Sequence, residues 1–348
     1  MHKTKQLQTS TRQSQENREI NNYHKINKPL LVGLGVPQYI FSRLLQLIPI
    51  LIGITFLTFG MLKFSSTDVV DKMYEQSGTI SEEVKAKKRA ELGLDQPFLV
   101  QYGKWLKDVV SGNMGKSFVS DKSVLEIFLD KLPATLELMA ISILLTIFIS
   151  LPFGIISAIN QNKFFDYIIR IFSFIGNSLP NFFVALLLIY FLALKLNLLP
   201  IMGSIYDWRS VIMPALTLTI AMSSKYIRQI RAVILEEINK PYVIGARSRG
   251  VKESTILIKS VLPSTFVTLT TLLALSIGSL LGGTAVVEII FMWDGVGKMA
   301  VDAILMRDYP IIQAYVLWMS IIYVFVNFLA DLLYYQLDPR VRLEKEKL

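Results

Sequence analysis

The stretch from Pro241 to Pro263, PYVIGARSRGVKESTILIKSVLP, sets Arg247, Arg249, Lys252, Glu253 and Lys259 between two strongly apolar segments. Charged side chains mixed with apolar ones suit docking, by ion pairs and a small apolar face, better than bond-making. Pro241 fits the first turn of a helix that starts after Asn239 and Lys240. Tyr242, Val243 and Ala246 then share one face at three- and four-residue spacing. Gly250 tolerates a positive φ and closes that helix with a turn. The following KESTILIKSVLP forms a second short helix, with Pro263 in the first turn or at a kink of the next apolar helix. Two short helices at an angle present a small, rigid surface. Two readings are open: a contact surface for a partner protein, or a basic loop resting on anionic lipid headgroups.

Other chemistry has fewer candidates. The chain has no cysteine, and its two histidines, His2 and His24, lie in a polar N-terminal stretch. Cys/His metal sites and Cys or Ser/His catalysis therefore have no candidates in the apolar part, and neither a metal nor a cofactor is expected. Gly295-Val296-Gly297-Lys298 echoes a phosphate cradle, but position 292 is Met where that motif needs glycine, so no nucleotide site is expected. Intramembrane charge marks function in ion-coupled carriers. Here Glu137 and Glu288 sit near span ends, Lys195 can snorkel, and Asp331 is close to an interface. Glu288 has two readings, an interfacial carboxylate beside a helix end or a pathway or gate residue.

The elements that hold these residues are apolar helices. Of 348 residues 52% are apolar and 18% charged, and the mean hydropathy is +0.47, on the membrane side of soluble averages. Residues 1–38 read as a disordered cytoplasmic tail rich in Gln, Asn, Ser, Thr and Lys, with no signal-peptide core. Spans are expected at about Leu44–Leu62, a retained anchor, then Ala134–Ile159, Ile168–Leu194, Val211–Tyr226, Phe266–Ile290 and Ile311–Leu333. Asn177-Ser178-Leu179-Pro180-Asn181 interrupts the third, as a bent span or as an interfacial helix before a shorter span. The formal charge of +9 is concentrated before the first span and between the fourth and fifth. The positive-inside rule therefore puts both termini and the Pro241–Pro263 stretch in the cytoplasm, and the charge implies no nucleic-acid partner. Alternation puts the long 65–131 region outside. The Ser276, Gly278, Ser279, Gly282, Gly283 run in the fifth span favours close helix packing.

The Pro241–Pro263 stretch resembles the cytoplasmic signature of ABC importer permeases: Glu-Ala-Ala, three residues, Gly, nine residues, Ile, one residue, Leu-Pro. With Gly250 on that glycine, Ala246, Leu262 and Pro263 match without a gap. Ile244, Gly245 and Ser260 depart from it. Further segments are similar to the dipeptide/oligopeptide/nickel branch, in its first-permease-subunit form. They are Gly93-Leu94-Asp95-Gln96-Pro97 with Gln101-Tyr102 and Trp105-Leu106, then Gly112, Gly115 and Ser117, and Pro133-Ala134-Thr135-Leu136-Glu137-Leu138. Gly282-Gly283, Val287-Glu288, Ile290-Phe291, Gly295 and Gly297 follow, with Asp294 where the family usually has proline. Asp308-Tyr309-Pro310, Gln313-Ala314 and Asp338-Pro339-Arg340-Val341-Arg342 complete the series, so the resemblance runs from Arg43 to Arg342.

That resemblance implies an all-α integral membrane protein with six transmembrane helices and the ABC importer type I permease fold. Its domains would be the tail at 1–38 and a permease domain at 39–348, with 65–131 extracellular and 241–263 a cytoplasmic coupling region. It further implies an importer for di- or oligopeptides, alternatively for nickel or metal-chelator complexes, in a bacterial or archaeal cell membrane. Partners would be a second homologous permease subunit, two cytoplasmic ATPase subunits that hydrolyse ATP, an extracellular substrate-binding protein, and membrane lipid. The chain itself would not be an enzyme, and Tyr242, Val243, Ala246, Arg247, Gly250, Leu262 and Pro263 would contact an ATPase. An ion-coupled secondary carrier is the competing class; mid-membrane carboxylates and internal repeats would favour it.

Overall fold

The computed structural model describes residues 36–63, 69–74, 81–91, 93–202, 207–265, 270, 278, 280 and 284–337. The tail as far as residue 35, the Asp338–Arg342 segment and most of the expected fifth span before 284, with its Ser276, Ser279, Gly282 and Gly283, lie outside these residues. The chain divides into two compact units, 1–49 with 338–348 and 50–337. Of the first unit only 36–49 are described, and these are helical.

Every regular element among the described residues is a helix: α1 Val36–Lys63, α2 Val69–Tyr74, α3 Glu82–Glu91, α4 Phe98–Val110, α5 Val124–Ile159, α6 Phe164–Ser178, α7 Asn181–Leu188, α8 Ile212–Ile238, α9 Pro241–Ser248, α10 Glu253–Ile256, α11 Val296–Met306 and α12 Tyr309–Leu337. Wide π-helical turns extend α7 through Ile189–Lys195 and α10 through Leu257–Val261. α1 starts at Val36, inside the stretch read as tail.

Helix ends differ from span ends for physical reasons. α5 runs 36 residues and begins at Val124, ten residues before the expected Ala134. At about 1.5 Å per residue it is far longer than a hydrocarbon core of about 30 Å. Apolar runs mark where a helix meets lipid, whereas hydrogen bonding carries it onward into water. α8 likewise continues to Ile238, twelve residues past the expected Tyr226, so Lys225, Arg228 and Arg231 lie on a helix rather than in a loop. The third span is broken where Pro180 was noted. Leu179 is extended, as the residue before proline prefers, and α6 and the α7 segment meet at 103°. They are not one straight span.

α5 packs along α8, with α6 against α8 beside it. The buried face of α5 is a stripe of small residues at four-residue spacing, Ser142, Thr146, Ser150 and Gly154, followed by Ser157. Two of these hydroxyls are satisfied inside the helix: Ser142 Oγ donates to the Leu138 carbonyl at 2.7 Å and Thr146 Oγ1 to the Ser142 carbonyl at 2.7 Å. On α8, Thr217 Oγ1 and Ser223 Oγ do the same at 2.9 and 2.6 Å. Glycines close the gap: a Cβ on Gly154 would lie 2.6 Å from Ile230 Cγ2, and one on Gly176 would lie 2.2 Å from Ser224 Oγ.

In the 65–131 region α4 is fastened to residues 52–59 of α1. Tyr102 Oη donates to the Ile52 carbonyl at 3.2 Å and lies 3.0 Å from Thr55 Oγ1. Phe56 and Phe59 meet Phe98 and Tyr102 edge to face at centroid distances of 5.3 to 5.6 Å. Gln101 Nε2 bonds the carbonyls of Leu94 and Gln96 at 3.1 and 2.6 Å, holding the Gly93–Pro97 turn.

Gly154→Val forces a branched side chain against Ile230, and overpacking of this kind costs about 1–3 kcal/mol. The detergent-solubilised protein is expected to unfold at a lower temperature, whereas Gly53→Val, with open space around its Cβ, is expected to shift the midpoint much less. Equal midpoints for the two variants would contradict this packing.

Candidate coupling site

α9 is a short helix whose ends are both set by sequence. Lys240 is extended (φ −70°, ψ 149°), as the residue before proline prefers, and Pro241 takes the first helical position. At the other end Gly250 has φ +75°. The Val251 amide donates to the Ala246 carbonyl at 3.2 Å and the Gly250 amide to the Arg247 carbonyl at 2.9 Å. This is the paired closure of a Schellman motif, and it requires a residue that tolerates positive φ.

The face shared by Tyr242, Val243 and Ala246 is split. Val243 is fully buried and Ala246 packs beside it in an apolar cluster with Tyr226, Ile230, Ile234, Ile256 and Val261. Tyr242 is 42% exposed and Ile244 53% exposed. The inward face thus fastens α9 to α8 and α10, and the outward surface consists of Tyr242, Ile244, Arg247, Ser248, Arg249 and Gly250. A four-residue spacing identifies a shared face but not whether that face looks in or out.

Ion pairs fix the corners. Arg247 holds Glu253 by two bonds, Nε to Oε1 at 2.5 Å and Nη2 to Oε2 at 3.1 Å, bracing α9 against α10. Glu237, at the end of α8, accepts from Lys240 Nζ at 2.5 Å and Tyr242 Oη at 2.7 Å. Leu262 packs against the same apolar cluster, while Pro263 is exposed. Residues 253–265 are one helical run with the π turn just before Pro263, so this proline neither opens a new helix nor interrupts the run. A widened turn accommodates the ring and missing donor of a proline inside a helix.

Glu288 is fully buried and belongs to a different knot. Its Oε1 accepts from Thr135 Oγ1 at 2.8 Å and its Oε2 from the Lys298 amide at 2.8 Å, while the Val296 amide donates to Thr135 Oγ1 at 2.9 Å. Two free donors at the N-terminus of α11 are thereby satisfied by α5 and by the helical segment 284–290, with a carboxyl oxygen at the positive end of the helix. Gly295 and Gly297 are required by this closeness, since a Cβ on either would lie 2.6 or 2.9 Å from Glu288 Oε2. Trp293 Nε1 donates to the Ala134 carbonyl at 2.9 Å, and Asp294, where proline is usual, pairs with Lys131 at 2.6 Å. Glu288 thus stands beside a helix end, buried in protein and not exposed.

Two sites were not found from sequence. Asp308 accepts from the Ser117 hydroxyl and, at 3.0 Å, from the Phe118 amide, tying the 65–131 region to the start of α12. Asp166 is buried against Arg231. In the sequence Asp308 stands out only within the Asp308-Tyr309-Pro310 resemblance and Asp166 only as a charge between two apolar runs, because their partners are 190 and 65 residues away.

At Glu237 burial pushes the carboxyl up, but the bonds from Lys240 and Tyr242 outweigh it and hold the group below the usual glutamate range. A carboxyl depressed on folding supplies stability above its unfolded value of about 4.3 and loses it as pH falls through the lower folded value. Hydrogen exchange in α9, corrected for intrinsic rate, is thus expected to quicken from about pH 5 downward. Glu237→Gln is expected to exchange faster at neutral pH and to show no such dependence; an unchanged acid response in that variant would assign it to another group.

The chain matches two family models, "Binding-protein-dependent transport system inner membrane component" over residues 150–343 and its N-terminal companion over residues 36–139. It is 38% identical over 313 residues to the oligopeptide transport system permease protein AppB of Bacillus subtilis, covering 87% of this chain and 98% of that one. It is 36% identical to the nickel import system permease protein NikB of Staphylococcus aureus (87% and 91% covered) and 32% identical to the metal-staphylopine import system permease protein CntB of the same species (88% and 98% covered). Among solved structures, an inward-facing MetNI methionine ABC transporter chain aligns with a TM-score of 0.52 at 15% identity, over 62% of this chain and 97% of that chain. That likeness is one of fold. The chain belongs to the binding-protein-dependent transport system inner membrane component family, as a multi-pass membrane permease with the ABC importer type I permease fold.

Proposed function

We propose that this permease forms half of the substrate pathway of an ATP-driven importer of di- or oligopeptides, together with a second homologous permease subunit. Two cytoplasmic ATPase subunits supply the energy, and an extracellular binding protein delivers the substrate. Both termini are cytoplasmic, the chain crosses the membrane six times, 65–131 is extracellular, and 241–263 is the coupling region. The observation that carries the coupling reading is the two-sided α9, buried through Val243 and outward through Tyr242 and Ile244. A helix end this firmly capped can transmit a push instead of absorbing it.

Within this reading the named residues have different roles. Tyr242, Arg247 and Gly250 lie at the ATPase contact, and Val243, Ala246, Leu262 and Pro263 carry the displacement into the spans. Glu288 takes part in a gate through its hold on the N-terminus of α11, as an anchor and not as a substrate ligand. The 38% identity to an oligopeptide permease favours peptides. The nickel and metal-staphylopine relatives favour metal or metal-chelator cargo as the second reading.

In vesicles holding both permeases and both ATPases, peptide uptake is expected only with ATP and the binding protein present; uptake by this chain alone would instead indicate a secondary carrier. Competition by nickel or a metal chelate, but not by peptides, would select the second cargo. Ile244→Asp alters only an exposed side chain, so insertion and thermal stability are expected to hold while uptake falls about tenfold, a plausible loss for one apolar contact at an interface. Unchanged uptake would remove Ile244 from the contact.

A further inference from the structure

We propose that Asp166, Ser157 and Arg231 form a positioning clamp that makes α5, α6 and α8 travel as one body with α9, so that a push on α9 reaches several membrane helices together. This rests on the coupling reading above. Asp166, in the first turn of α6, is fully buried, and its carboxylate is saturated. Oδ1 accepts from Arg231 Nε at 2.7 Å and Ser157 Oγ at 2.5 Å; Oδ2 accepts from Arg231 Nη2 at 2.8 Å and the Asn162 amide at 2.9 Å. The donors come from α8, from α5 and from the turn between α5 and α6, where Asn162 adopts φ +60°.

Three features make this a mechanical joint. A guanidinium fork on a carboxylate fixes orientation as well as distance, which a lysine ammonium does not. Separating the two would leave an uncompensated charge in a dry place, so the pair holds while its surroundings move. Its position is also the right one: Ile230, the neighbour of Arg231, packs with Val243 of α9 on one side and admits no side chain at Gly154 of α5 on the other. The pair is not a substrate site, because each carboxylate oxygen already has two donors.

The test uses the complete reconstituted importer. Arg231→Gln and Asp166→Asn are expected to assemble and hydrolyse ATP normally while uptake per ATP falls about tenfold, within the usual range for residues that carry coupling between sites. Arg231→Lys keeps the charge and is expected to recover about a third of the wild-type ratio. Normal coupling in Arg231→Gln, or hydrolysis and uptake falling together, would overturn the clamp. A second arm does not depend on these variants folding. A Cβ on Gly176 of α6 would lie 3.3 Å from Ser224 Cβ of α8, just short of the usual disulfide span of about 3.5–4.5 Å, so a small outward adjustment brings the pair into it. The chain has no other cysteine, so Gly176→Cys/Ser224→Cys can be cross-linked alone. Equal uptake by oxidised and reduced protein is expected of a rigid body, and uptake that appears only on reduction would show α6 and α8 sliding and overturn the proposal. Failure of the wild-type complex to import with ATP would instead sink the importer reading, and that arm is read first.

Discussion

The seam between α8 and the α5–α6 pair is the constraint on which the rest depends. In hydrocarbon there is no hydrophobic gain from helix contact, so association relies on close approach and satisfied polar groups. Gly154 under Ile230 and Gly176 under Ser224 supply the approach. Ser142, Thr146, Thr217 and Ser223 return their hydroxyls to carbonyls one turn back, leaving a surface narrow enough to pack. Past Tyr226 α8 carries this order onward as a rigid rod, and α9 is fastened to the end of that rod.

Buried carboxylates perform the remaining joins, each in the same way. Asp166, Glu288 and Asp308 each accept two or more hydrogen bonds, at least one of them from an element distant in sequence. A carboxylate has room for several donors, so it can gather three chain segments where a neutral side chain joins two. Motifs that lie far apart in the sequence meet in the fold in this way. Pro133–Thr135 and Glu288–Gly297 are two halves of one knot, and Ser117 and Asp308 are two halves of another.

The family, the helical class and the ends of α9 were legible in the sequence because each depends on local chemistry: apolar run length, a proline before a helix, a glycine after it. What escaped was everything set by long-range pairing. Asp166 looks like any other loop charge until α8 is seen to continue past Tyr226 and bring Arg231 to it. The split face of α9 escaped for the same reason, since inward and outward are defined by α8 and α10 and not by the helix itself. The break in the third span at Asn177–Asn181 was, by contrast, legible from its proline, and what the structure adds is the 103° between its halves.

The departures from the coupling signature fall where the fold makes weak demands. Ala246 and Leu262, which match, pack in the apolar cluster, and Gly250, which matches, occupies a backbone conformation that other residues resist. Ile244, which replaces the glutamate, points outward. Gly245 and Ser260 are half-buried, with room to vary. Positions held by packing or backbone geometry keep their residue type, whereas an outward position answers only to the surface it meets. An isoleucine where a glutamate is usual therefore changes the chemistry of the exposed surface, from charged to apolar, without changing the helix that presents it.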